Sequence, residues 1–75
     1  MDKIYFRLVY NRKKKLNKSG KALIQVEAYR KRKKVYISTG IYVNPQEWDS
    51  RHSRIIQHPH SEELNRMLEE FILQL

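Results

Sequence analysis

The chain has 75 residues, 16 Lys+Arg against 8 Asp+Glu for a net charge of +8, 40% hydrophobic residues and no cysteine. That length makes one small domain or a piece of a longer chain, and a domain this short buries only ~60% of the surface its unfolded chain exposes. The hydrophobic share excludes a disordered tail, the missing cysteines exclude a disulfide staple, a zinc-thiolate finger and a thiol nucleophile, no apolar run approaches the ~20 residues of a membrane span, and the N-terminus lacks a secretory signal.

Residues 3–10 read as a strand, with Ile4, Phe6, Leu8 and Tyr10 on one face and Lys3, Tyr5, Arg7 and Val9 on the other. Residues 11–20 carry Arg12, Lys13, Lys14, Lys15 and Lys18 and end in Ser19-Gly20, which predicts a mobile basic loop. Residues 21–30 alternate again, Ala22, Ile24, Val26 and Ala28 against Leu23, Gln25, Glu27 and Tyr29. The basic run Arg30 to Lys34 leaves room for a tight turn, but lacks the Asn-Gly or Asp-Gly of a two-residue hairpin, so its type stays open. A third strand follows over 34–39, with Val35, Ile37 and Thr39 opposed to Tyr36 and Ser38, and Gly40 ends it.

Beyond it, Asn44-Pro45-Gln46-Glu47 reads as a turn or one helical turn with Pro45 at its first position. Trp48 reads as a core plug rather than a ligand platform. A helix is predicted over 62–75, with Ser61 as N-cap and Glu62 and Glu63 in the first turn, where the helix dipole favours acids. Leu64, Met67, Leu68, Phe71 and Leu75 make its apolar stripe, Ile72 widens it, and Leu73 lies off it, free to touch a partner. The last turn has no glycine cap, so the helix or a linker is expected to continue into a further domain. The fold class is therefore α+β, a three-stranded antiparallel sheet packed on one C-terminal helix.

The charge is unevenly placed. Residues 1–40 hold 13 Lys+Arg against Asp2 and Glu27, a net +11, whereas residues 41–75 hold three against six acids, a net −3. Such asymmetry points to an anionic partner, nucleic acid or an anionic membrane surface. The membrane is the weaker reading, because the polar face of the one amphipathic helix is acidic. Two glycines exclude a glycine-rich phosphate loop. His52, His58 and His60 form the one metal-like cluster, but Pro59 breaks the local helix and no Asp or Cys completes four ligands, so they read as exposed loop histidines. The pairs Glu62–Glu63 and Glu69–Glu70 have no second group for acid/base work, so no active site is expected here. No cofactor, metal or small-molecule partner is expected either.

Nucleic-acid binding fits best. Phosphate contacts are expected from Arg12, Lys13, Lys14, Lys15, Lys18, Lys31, Arg32 and Lys33 in the loops. Base and sugar contacts are expected from the outer sheet face, from Tyr5, Arg7, Gln25, Glu27, Tyr29, Lys34, Tyr36 and Ser38, with Val9 and Leu23 available to thymine methyls. Tyrosines on that face could instead stack unpaired bases, which keeps an RNA-binding or ribosome-associated domain as an alternative. A protein–protein module acting through the helix is a further alternative.

The order of motifs resembles a known family. Gly20-Lys21-Ala22-Leu23-Ile24-Gln25-Val26, a basic turn, then Ser38-Thr39-Gly40-Ile41-Tyr42-Val43-Asn44-Pro45-Gln46-Glu47-Trp48-Asp49, then Leu64-Asn65 on a helix, resembles the N-terminal arm-type DNA-binding domain of tyrosine recombinases, the integrases of phages and mobile elements. The resemblance spans nearly the whole chain and is most specific from Ser38 to Asp49. It implies that the sheet enters the major groove of duplex DNA at arm-type sites, as one module of a longer integrase acting in the bacterial cytoplasm at the nucleoid, with neighbouring integrase protomers or accessory proteins as further partners. The chain departs from the family at Glu27, where a basic residue is common, leaving three roles open: reading a base, repelling a phosphate, or pairing with Arg7 or Lys34. The family's catalytic arginines, histidine and tyrosine have no match in these residues.

Overall fold

The computed structural model describes residues 3–75. Strands β1 (Tyr5–Tyr10), β2 (Ala22–Arg30) and β3 (Lys33–Val43) form an antiparallel meander in the order β1-β2-β3. A single 3-10 turn (Pro45–Glu47), a short hairpin of β4 (Trp48–Asp49) and β5 (Arg54–Ile55), and helix α1 (Ser61–Leu73) follow. The expected sheet and C-terminal helix are both present.

The alternation of the sequence becomes two faces because the strands pair in phase. Phe6, Ala28 and Val35 fall in one cross-strand row and Leu8, Val26 and Ile37 in the next, all facing inward. The β2–β3 connection is a two-residue loop, Lys31-Arg32, closed by the Arg30–Lys33 pair, with both loop residues at positive φ (49° and 65°). That is the primed type I turn, whose twist matches the strands it joins.

Gly40 does not end the third strand. Leu23 pairs with Tyr42 and Gln25 with Ser38, so Thr39, Gly40 and Ile41 stand opposite Ile24 alone. Gly40 takes φ +77°, a conformation open to glycine without strain, and absorbs the extra residues as a bulge. The Thr39 hydroxyl donates to the Ile24 carbonyl at 2.7 Å and accepts from the Ile41 amide at 3.1 Å, which stitches the bulge and lets β3 run on to Val43. The Asn44–Glu47 turn is a capping box. The Asn44 side chain accepts from the Glu47 amide, the Glu47 carboxylate accepts from the Asn44 amide, and Pro45 sits in the first turn as expected.

The β4–β5 hairpin went unread because two-residue strands have no periodicity to detect. Asp49 builds its loop by accepting from the backbone amides of Arg51 and His52 and from the His52 ring at 2.8 Å. The side-chain bond from His52 is the largest cause holding the Asp49 carboxyl below the usual carboxylate range.

Ile24, Val43, Ile55 and Leu68 are fully buried, with Leu8, Tyr10, Ile41, Trp48 and Leu64 packed around them. The helix stripe is rotated from the expected one, since Met67 and Leu75 are exposed and Asn65 turns inward. The Asn65 amide accepts from the Ile55 N–H at 2.8 Å and donates to the Ile55 carbonyl at 2.9 Å, satisfying the edge of β5 and fixing the helix to it. Ser61 is not the N-cap. The His60 carbonyl accepts the first helical bond, from Leu64, so the helix begins one residue earlier and has no side-chain cap.

The helix leaves the β2–β3 turn end of the sheet's inner face open. Toward the β2–β3 turn, Ile4, Ala28, Arg30, Lys31, Lys33 and Val35 line an open groove of about 490 Å³ on the inner face.

Tyr10 ties the sheet to the end of β3, its hydroxyl donating to the Val43 carbonyl at 2.8 Å. Burial first, and then the charge of Glu47, raise the phenol above its ordinary value. Tyr10→Phe removes that hydrogen bond, a loss of ~1 kcal/mol and a Tm lower by roughly 4–8 °C. A phenol with a raised folded-state pKa contributes stability fully below pH 10 and loses it as pH rises through the folded value. Thermal melts across pH 8–11 should show an alkaline loss in the wild type that is smaller in Tyr10→Phe; equal losses would contradict this.

Candidate nucleic-acid interface

The face of the sheet opposite α1 is built by the other half of each alternating pattern. Its rows run Tyr5–Tyr29–Lys34, Arg7–Glu27–Tyr36 and Val9–Gln25–Ser38, each crossing all three strands. Seven strand positions expected from sequence to touch DNA thus stand with Glu27 on one surface, together with Val9 and Leu23. Tyr5, Arg7, Lys34 and Ser38 are exposed, while Gln25, Tyr29 and Tyr36 are half-buried.

Glu27 differs from the rest, being only 6% exposed in the middle of the central strand. Its carboxylate accepts from Arg7 Nη2 at 3.0 Å, and the Arg7 side chain is 69% exposed. Of the roles open to Glu27, the structure has the pairing with Arg7. On the other side of Glu27, the ring of Tyr36 carries the Arg12 guanidinium 3.8 Å from its centroid. Arg12 belongs to the β1–β2 loop, yet lies over a β3 side chain, which puts it on the sheet face. No pattern along the chain signals this, because a cation–π contact between a loop and the third strand has no spacing signature.

The basic loops lie at opposite ends of this surface. The nine residues of β2 separate them by about 27 Å at ~3.4 Å per residue. The first loop is folded around two asparagines. Asn11 accepts from the Lys15 amide, and Asn17 accepts from the amides of Ser19 and Lys21. Backbone bonds from Lys14 to Asn11 and from Gly20 to Asn17 close the same two turns. Two asparagines within a lysine run are the signal that could have revealed this, since Asn accepts from amides a few residues on.

Lys13, Lys14, Lys15 and Lys18 project from the first loop exposed, as do Lys31 and Arg32 from the second. Lys33 pairs with Arg30 in the inward-facing row and lines the groove on the other side of the sheet. Between the first loop and the sheet lies a cleft of about 310 Å³, with Arg12, Lys13 and Lys15 above and Leu23, Gln25 and Tyr42 below. Tyr42, half-exposed on this face, was missed because the third strand was read as ending at Gly40.

The histidines make no comparable site. The His58 and His60 rings are 5.9 Å apart and tilted, His52 is bound to Asp49, and no group of three or more His, Cys, Asp or Glu among the described residues could hold a metal ion. No helix among them is long and apolar enough to cross a membrane.

A positively charged, hydrogen-bonding surface flanked by lysine loops can neutralise phosphates at its ends and present donors and acceptors to base edges at its centre. Comparison with known families agrees in kind. The family model described as an arm DNA-binding domain matches residues 9–75. No curated protein and no solved structure matches the chain.

Proposed function

Because the chain belongs to the arm DNA-binding domain family, of the kind found in tyrosine recombinases, we propose that it binds duplex DNA sequence-specifically, with the outer sheet face in the major groove of arm-type sites, as one module of a site-specific recombinase. The observation that carries this reading is the in-register outer face, with Arg7, Gln25, Tyr36 and Ser38 in adjacent rows and exposed lysines at both ends. A two- or three-stranded ribbon fits the ~12 Å width of the major groove, where Arg pairs bidentately with guanine and Gln with adenine. The module itself is non-catalytic, and the chemistry of recombination belongs to other domains of the parent protein, in the cytoplasm of a bacterial host.

The loops and the face have separable roles. Lys14→Ala or Lys31→Ala should weaken binding to all duplexes about equally, whereas Arg7→Ala or Gln25→Ala should also relax preference at one base pair, by ~1–3 kcal/mol for a bidentate contact. Selection from a randomised duplex library, with single-stranded DNA and RNA as competitors, checks both points. Enrichment of one duplex motif that both sheet variants blur is the expected result. An unchanged motif in both sheet variants would move the readout elsewhere, and preferential capture by single strands would favour the RNA-binding alternative.

The helix supports a second surface. Leu73 is 84% exposed, one turn from Glu69 and Glu70 and off the stripe that holds Met67. We assign this edge to contacts with neighbouring protomers or accessory proteins.

A further inference from the structure

We infer that Glu27 is a positioning residue that turns Arg7 from a general counter-charge into a reader of a single base pair. The inference rests on the duplex-reading role proposed above and adds a specific device to it.

A carboxylate 7% exposed at the centre of an otherwise hydrated face is costly unless its charge is met and its oxygens are hydrogen-bonded. Arg7 meets it directly across the β1–β2 ladder, in register, at 3.0 Å. The exposures of the two side chains are opposite in kind. The acid is sunk between Arg7 and Tyr36 and is too deep to touch a base itself, while most of the Arg7 side chain stands in solvent. A guanidinium has five N–H donors in a rigid planar fork. One amino group bound to Glu27 restricts the swing of that fork, and the 69% exposure of the side chain leaves it accessible to a ligand.

Two consequences follow from charge and geometry. First, the rotamer freedom that Arg7 would otherwise lose on meeting DNA is already lost in the free protein, so a bidentate contact to guanine O6 and N7 costs less. Second, the pair carries no net charge. An unpaired arginine on this face would be drawn to any phosphate and would strengthen binding to every sequence alike. Held by Glu27, it adds little non-specific attraction and retains its base-edge hydrogen bonds. Arg12, held over Tyr36 in the same row, is restrained in the same sense by a ring instead of an acid.

The test is a randomised-duplex selection and salt titration on the 75-residue chain, comparing wild type with Glu27→Gln, which keeps the shape and removes the charge, and with Arg7→Lys, which keeps the charge and removes the fork. Both variants should fold, as judged by thermal melts. Glu27→Gln should bind non-specific duplex as tightly as wild type or tighter, and should lose about 10-fold of its discrimination at one position of the selected motif. Arg7→Lys should lose discrimination at that same position, and combining the two changes should add no further loss there. Equal weakening on every sequence together with a lowered Tm in Glu27→Gln would make Glu27 a purely structural residue and overturn the inference. So would an unaltered motif in a folded Glu27→Gln. If the wild-type chain enriches no duplex motif at all, the sequence-reading role itself fails, and the positioning role falls with it.

Discussion

Trp48→Ala should largely unfold the domain at room temperature, with loss of the cooperative thermal transition. The indole stacks on Tyr10, with ring centroids 5.7 Å apart and planes 19° from parallel. It pairs across the short hairpin with Ile55, and it packs against the cluster of Ile24, Val43, Ile55 and Leu68. Its backbone also closes the 3-10 turn, the Trp48 amide donating to the Pro45 carbonyl. Removing an aromatic packed in this way costs ~3–5 kcal/mol. A domain below ~80 residues has a core worth only ~3–5 kcal/mol of net stability, so one substitution removes nearly all of it. Trp48→Phe, which keeps a stacked ring, should retain a transition at lower temperature. Far-UV circular dichroism melts decide the matter. An unshifted midpoint in Trp48→Ala would mean that the indole contributes nothing to the core and faces a ligand.

DNA affinity should fall about 500-fold between 50 and 200 mM monovalent salt. With about five phosphates engaged by the two basic ends, the slope of log K against log salt is near −4.5. The geometry supplies enough cations at both ends of the outer face, four exposed lysines on the first loop and Lys31-Arg32 on the second. Arg7 is excluded from the tally by its pairing with Glu27, and Lys33 by its place on the opposite side of the sheet. Fluorescence anisotropy on a labelled duplex across that range gives the slope directly. A flat response would show that phosphates contribute little to binding, and the reading of the loops as phosphate contacts would fail.

The sheet was legible because a period of two assigns each residue to a face without knowledge of its partner. Ile24 and Val26 on one side and Gln25 and Glu27 on the other follow from alternation alone, and the ladder places them so. What escaped the sequence was of a different physical kind. Gly40 marks equally a stop or a bulge, and the Thr39 hydroxyl that decides between them reaches a carbonyl on another strand. Asn65 looks like part of the polar face of an amphipathic helix, and is inward only because Ile55 presents an unpaired edge 10 residues away. The outer face was recognised as a set of residues, with pairing to Arg7 or Lys34 among the three roles open to Glu27; choosing Arg7 needed the ladder, since the two residues are 20 positions apart in the chain.

The turn between β2 and β3 has an implication for how such a chain evolves. A primed type I turn favours asparagine and glycine, because each central residue takes a backbone conformation that costs an ordinary side chain ~1 kcal/mol or more. Here both positions are held by long cationic residues, Lys31 at φ 49° and Arg32 at φ 65°. Variants selected for heat resistance alone should therefore drift toward Asn-Gly at this tip and give up two positive charges in doing so. The hairpin is a point where durability and attraction to an anionic polymer pull the same two codons in opposite directions, and the residues present are those expected where attraction has prevailed.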